Sequence, residues 1–139
     1  MSLSIRNQLP GTVTAVTTGA VMATVKVRLT SGQELTAAVT VDAVKDLGLG
    51  EGSAVQALVK STEVSLATGP VSGLSIRNQI PGTVTEVSTG AAMAGVKVDV
   101  ADGALTAAIT AAAAADLGLT AGSPVVALIK STEVSLAAA

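Results

Sequence analysis

The chain states nearly the same sequence twice. Leu3-Ser4-Ile5-Arg6-Asn7-Gln8 returns unchanged as Leu74-Ser75-Ile76-Arg77-Asn78-Gln79. Lys60-Ser61-Thr62-Glu63-Val64-Ser65-Leu66-Ala67 returns unchanged as Lys130-Ser131-Thr132-Glu133-Val134-Ser135-Leu136-Ala137. A tandem repeat constrains domain count and symmetry more firmly than length does. It predicts a first domain over residues 1–68, a linker over 69–73 and a second domain over 74–139. The linker, Gly69-Pro70-Val71-Ser72-Gly73, carries the Gly, Pro and Ser that interrupt regular structure.

Each copy is about half of the 139-residue chain, and a domain of that size buries a modest share of its surface. Small domains are commonly reinforced by disulfides, metals or oligomerisation. With no cysteine and no histidine, disulfides and thiolate or imidazole metal sites are excluded, which leaves oligomerisation. The core must be aliphatic, because Phe, Tyr and Trp are absent. Hydrophobic residues make up 49% and charged ones 13%, a balance that predicts extensive burial, subunit interfaces included. A formal net charge of −2, with no basic stripe and no stacking aromatics, predicts no nucleic-acid partner. No apolar run is long enough to span a bilayer, and the stretch from Met1 to Arg6 lacks the pattern of a secretory signal. The expectation is therefore no membrane association and a cytoplasmic location.

Period-two alternation dominates. Thr12 to Thr17, Thr24 to Leu29, Leu35 to Val39, Ser53 to Lys60 and Glu63 to Leu66 read as short antiparallel strands. Thr30-Ser31-Gly32-Gln33-Glu34 shortens to Ala101-Asp102-Gly103-Ala104 in the second copy, which marks a hairpin tip, where length changes are tolerated. One segment breaks the period. Val41 to Leu47 reads as a short helix, with Thr40 or Asp42 as its cap and Gly48 in the left-handed position beyond its end. Its counterpart, Thr110 followed by five alanines, Asp116, Leu117 and Gly118, has the best helix former throughout. The expected fold is all-β: two tandem OB-like five-stranded barrels, each with one short helix. An SH3-like barrel fits the same strand count.

Comparison of the copies singles out charges. Arg28 and Lys45 become Asp99 and Ala115, whereas Arg6, Lys26 and Lys60 recur as Arg77, Lys97 and Lys130. The acids kept are Asp46/Asp116 and Glu63/Glu133. On a strand, Ser4 and Arg6 would share a face, and Lys60 is followed at once by the hydroxyls Ser61 and Thr62. An Arg fork, a Lys point charge and hydroxyl donors suit a small oxyanion. The competing reading is surface pairing of Arg6 and Lys60 with Glu63 or Asp46. The turn Thr17-Thr18-Gly19-Ala20-Val21-Met22-Ala23, with its counterpart from Ser88 to Ala94, is either an anion-binding nest of backbone N–H groups or an ordinary tight turn. Catalysis is disfavoured. A Ser–Lys arrangement through Lys60 and Ser61 would place adjacent strand residues on opposite faces, and Asp46 and Glu63 are too few for a carboxylate metal cage.

At Ser4-Ile5-Arg6-Asn7, Thr18-Gly19-Ala20-Val21-Met22-Ala23 and Lys60-Ser61-Thr62-Glu63-Val64 the chain resembles the molybdenum-pterin-binding protein (Mop) domains, or molbindins, in their tandem form. The motifs recur in order and spacing across nearly all of both copies. The resemblance implies an OB-like barrel, a non-enzymatic role in binding molybdate and tungstate as free oxyanions, no pterin, and a homotrimer. It implies interface sites built from Ser4, Arg6, Thr40, Lys60 and Ser61, and from Ser75, Arg77, Thr110, Lys130 and Ser131. It implies further sites near the trimer axis at Gly19, Ala20 and Val21, and at Gly90, Ala91 and Ala92. Some members carry a Ser three residues after that Thr; Ala43 and Ala113 stand there instead, one hydroxyl fewer. The resemblance implies storage and homeostasis of molybdate, with a molybdate- or tungstate-responsive regulatory or delivery module acting through a protein partner as the alternative; regulators of the same family carry an added DNA-binding segment, and transporter ATPases a nucleotide domain. The residues implied no functional account of Lys26 and Lys97.

Overall fold

The computed structural model describes residues 2–139. Each copy supplies one long strand, two further hairpin strands, a short helix and two shorter strands. In the first copy these are β1 (Asn7–Thr18), β2 (Met22–Leu29), β3 (Glu34–Thr40), α1 (Val41–Leu47), β4 (Ala54–Val59) and β5 (Ser65–Ala67). In the second they are β6 (Asn78–Thr89), β7 (Met93–Val100), β8 (Gly103–Thr110), α2 (Ala111–Asp116), β9 (Pro124–Ile129) and β10 (Ser135–Ala138). A 3₁₀ turn, Ser61–Glu63 or Ser131–Glu133, separates the last two strands of each copy.

The strands follow from their alternation. β2 is alternately exposed and buried from Met22 to Leu29, which sends Ala23, Val25, Val27 and Leu29 inward. β1 is long enough to serve both β2 and β4 because it bends. Its pairing to β2 shifts register between Val13 and Ala15, a bulge at Thr14 whose hydroxyl donates to the Lys26 carbonyl at 3.3 Å. Gly11 lets β1 approach β2 closely, since a Cβ there would lie 2.6 Å from Val27 Cγ1 and 2.8 Å from the Arg28 carbonyl. The helices form as the caps predict. The hydroxyl of Thr40 accepts from the Ala43 N–H at 3.1 Å and that of Thr110 from Ala113 at 3.1 Å. Gly48 and Gly118 take the left-handed conformation at φ 62° in both copies.

The two sheets run β10-β4-β1-β2-β3 and β5-β9-β6-β7-β8. Both are five-stranded and antiparallel, as expected, but each takes its outer strand from the other copy. Ser135 pairs opposite Leu58 and Leu136 opposite Ala57; Ser65 and Leu66 pair with Leu128 and Ala127. Closing a barrel within one copy would need the chain to reverse between β4 and β5. The residues there, Lys60 to Val64, include no Gly, Pro, Asn or Asp to make that reversal. The 3₁₀ turn instead carries the chain onward, onto the neighbouring sheet. Val64 and Val134 anchor the crossing, each 2% exposed, and the buried residues of both copies form one aliphatic cluster.

Side chains lock the halves together. Asn7 and Asn78 are the buried polar residues among the described ones. The Asn7 amide donates to the Thr106 carbonyl at 2.9 Å and accepts from the Thr106 N–H at 2.8 Å. Asn78 does the same to Thr36, at 2.8 Å both ways. Each asparagine thus stands in for one residue of a neighbouring strand along the edges of β8 and β3. At the hairpin tips, Ser31 donates its N–H and its hydroxyl to the two carboxylate oxygens of Asp102, at 2.7 and 2.6 Å.

Candidate functional site

Register brings the candidate residues together. β1 pairs with β4 so that Asn7 faces Val59. The residues just before β1 therefore lie beside those just after β4. The result is a groove of about 260 Å³ lined by Ser4, Ile5, Arg6, Lys60, Ser61 and Thr62. Asn78 faces Ile129 in the second copy, and there a groove of about 270 Å³ is lined by Ser75, Ile76, Arg77, Lys130, Ser131 and Thr132. The linings are identical residue for residue.

Two local expectations are corrected. Ser4 to Arg6 is not strand: the chain bends at Ser4, and β1 begins at Asn7. Lys60 and Ser61 are not consecutive strand residues either; Lys60 precedes the 3₁₀ turn that Ser61 opens. The tighter path of the turn brings both to one groove, where an extended strand would separate them.

The electrostatics of the grooves are unbalanced. Among the described residues the ion pairs are Lys26–Glu34 at 3.9 Å and Lys97–Glu86 at 3.5 Å. Surface pairing of Arg6 or Lys60 with Glu63 or Asp46 is therefore not what these cations do. Lys26 and Lys97, which the sequence left unexplained, are the paired ones, and exposed pairs of this kind contribute about 0–1 kcal/mol. Each groove also holds a buried hydroxyl. Ser61 Oγ and Ser131 Oγ are shielded from solvent and have no hydrogen-bond partner within the chain. Such a group costs about 1–3 kcal/mol when left alone, and in a native fold it calls for an explanation.

The remaining candidates lie elsewhere. Thr40 and Thr110 are exposed, cap their helices and line neither groove. Thr40 faces Met22 across the β2–β3 pair, beside the turn of Gly19, Ala20 and Val21. The Gly19 N–H closes that turn on the Met22 carbonyl at 2.8 Å, and Gly90 closes its own on Met93 at 2.8 Å. The Val21 and Ala92 carbonyls accept from Val41 and Ala111, tying each turn to the start of a helix. Val21 and Met22 are exposed there, as is Met93 in the second copy, and so are Leu47 and Leu117 at the far ends of the helices. Sequence reasoning pointed to Thr62 beside Lys60 and missed Ile5 and Ile76 as groove walls, and Asn7 and Asn78 as the clamps beside them. The clamps were marked by alternation: Asn7 shares the parity of Leu9, the inward face.

Comparison with known proteins places the chain in a family. The model of the TOBE domain matches residues 3–66 and again 74–136. The chain is 40% identical over 99% of its length to the molybdenum-pterin-binding protein MopA of Rhodobacter capsulatus, covering 52% of that protein. It is 42% identical over 66 residues to molybdenum-pterin-binding protein 3 of Clostridium pasteurianum, covering 97% of that protein and 48% of itself. The chain thus spans about half the length of the full-length relatives it matches end to end, and a single-copy relative spans half of the chain. Among solved structures, the molybdate-bound form of the cytoplasmic molybdate-binding protein ModG superimposes with a TM-score of 0.97 at 39% identity, covering 100% of both chains. The chain belongs to the TOBE-domain family and carries the domain twice.

Proposed function

We propose that the protein binds molybdate as the intact oxyanion and serves as a cytoplasmic store or buffer for it. The observation that carries this reading is the pair of identical grooves, each joining an unpaired Arg and Lys to a buried hydroxyl with no partner. A tetrahedral dianion would supply what each group lacks: charge for Arg6 and Lys60, and an acceptor for Ser61 Oγ. The protein as a whole is mildly acidic, so attraction must be local. Charge-assisted hydrogen bonds contribute about 1.5–3 kcal/mol each, and a few of them held in place give roughly micromolar affinity after association costs.

The proposed assembly is a homotrimer. The apolar surface at Val21, Met22 and Leu47 would be covered by a second copy, and Thr40 would reach the groove of a neighbour, completing an interface site. Ala20, Val21, Ala91 and Ala92 remain the axis-site candidates, with Gly19 and Gly90 holding the turns. Tungstate, of the same shape and charge, is the expected alternative ligand. Native mass spectrometry with molybdate reads subunit and ligand counts together. The unmodified chain is expected as a trimer carrying oxyanions, and Arg6→Ala with Arg77→Ala is expected to lose the groove-bound ones, each weakened about 10- to 100-fold. An unchanged ligand count in that variant overturns the site assignment.

A second variant separates binding from folding. Ser61→Ala with Ser131→Ala removes two buried hydroxyls that lack partners, so the ligand-free protein should gain about 1 kcal/mol per site. The same change removes a donor and should shrink the stabilisation that molybdate confers on the native state. Thermal unfolding with and without molybdate checks both signs. A ligand-free protein that loses stability contradicts the role given to these hydroxyls.

A further inference from the structure

The hexamer from Leu3 to Gln8 recurs whole, yet its last residue lines neither groove. Gln8 stands on β1 between the buried Asn7 and Leu9 and is itself exposed, as alternation requires. Its side-chain amide turns back along the chain and donates to the Ile5 carbonyl at 3.0 Å. Gln79 does the same to the Ile76 carbonyl at 3.1 Å. Each bond reaches back three residues, so a side chain closes a turn there. Among the described residues, the turn, loop and cap bonds of the backbone leave residues 3–6 and 74–77 untouched. The tied carbonyl sits in the middle of the groove segment, since Ser4, Ile5 and Arg6 all line the groove. β1 begins only at Asn7. The peptide joining Ile5 to Arg6 is planar, so holding its carbonyl also sets the direction in which the Arg6 backbone leaves. Asn7 fastens the far side of Arg6 to the other copy; Gln8 fastens the near side.

We propose, resting on the molybdate reading above, that Gln8 and Gln79 are positioning residues for the two grooves. Each holds the arm that carries Ser4 and Arg6, or Ser75 and Arg77, in place before the oxyanion arrives. Their contribution is entropic: an arm already ordered has less freedom to lose when the ligand binds. Arg6 and Arg77 are exposed on long side chains, and a loose backbone would add its own freedom to theirs. Glutamine suits the task because its side chain is long enough to reach back and its amide supplies the donor that a carbonyl needs.

The test is molybdate titration of the full chain by calorimetry, with Gln8→Met and Gln79→Met combined. Methionine is close to glutamine in length and lacks the donor. Affinity is expected to fall about three- to tenfold, the worth of one hydrogen bond per groove, with the loss in the entropy of binding. The unfolding midpoint of the ligand-free protein should hold, since both positions keep their backbone pairing with Leu58 and Leu128. Backbone order parameters from NMR should fall at Arg6 and Arg77 in the ligand-free variant and recover with saturating molybdate, a response that a merely structural role would not give. Gln33→Met is the control. It makes the same change at a hairpin tip, where the amide donates to the Glu34 carbonyl at 3.4 Å, and it should leave affinity unchanged. If the unmodified chain binds molybdate and the double variant binds it equally well, the positioning role is overturned while the groove stands. A weakening that Gln33→Met matches, or that comes with a lower ligand-free midpoint, overturns it too. If the unmodified chain binds no molybdate, the reading of the groove itself falls, and the positioning role with it.

Discussion

Asn7→Ala is expected to destabilise the chain by about 2–4 kcal/mol, a large effect for a residue that neighbours a surface groove. The side chain is 1% exposed and bonds both the N–H and the carbonyl of Thr106. Truncation leaves those two backbone groups without their partners along a part-buried strand edge. Asn7→Asp tests the same point with little change of shape. It removes the donor and sets a carboxylate oxygen against the Thr106 carbonyl, so it should do at least as much damage. Asn78→Ala should act likewise through Thr36. The double variant approaches the whole reserve of a small protein, about 5–15 kcal/mol. Urea unfolding measures each loss, and a single-variant loss below about 1 kcal/mol would show that the clamp is dispensable.

A deletion in one copy should injure the other. Ending the chain at Glu133 removes Val134, which is 2% exposed, and β10. That strand belongs to the first sheet, where it covers β4. The expected loss is upwards of about 3 kcal/mol, from the buried Val134 and half-buried Leu136 side chains and the missing ladder. Hydrogen exchange locates it. Protection should fall over Ala54–Val59 of the first copy and persist over Pro124–Ile129, which keeps β5 as its neighbour. Loss confined to the second sheet would contradict the exchanged pairing.

Much of this architecture was legible in the residues. Alternation located the hairpin strands, the break in alternation located the helices, and Thr40 and Gly48 marked where α1 starts and stops. The grooves were half legible. The recurrence of Arg6, Lys60 and Ser61 identified their residues, but their meeting depends on the β1–β4 register, which pairs residues far apart in the chain. Exchange of the last strands was not legible. Hydrophobic period says which face of Leu66 and Leu136 is buried, and both sheets satisfy that requirement equally. What decides is the path of the Lys60–Val64 turn, a matter of backbone geometry. The Lys26 and Lys97 pairs show the same limit, since equivalent lysines found partners on different strands, Glu34 on β3 and Glu86 on β6.

Ser31 and Asp102 occupy the same position in the two copies, and they touch each other. In an assembly of identical single-copy chains, a residue beside a two-fold axis can only meet its own twin. Aspartate would then face aspartate and repel; serine would face serine with no charge to bind. Joining two copies in one gene removes that constraint, because each side of the axis can mutate alone. The hydroxyl and the carboxylate are complementary only because the copies have diverged there. They work as a key cut for one lock, and a chain built from either copy twice would lose the fit. Fusion has thus given the two halves distinct identities at the point where symmetry would have forced them to be the same.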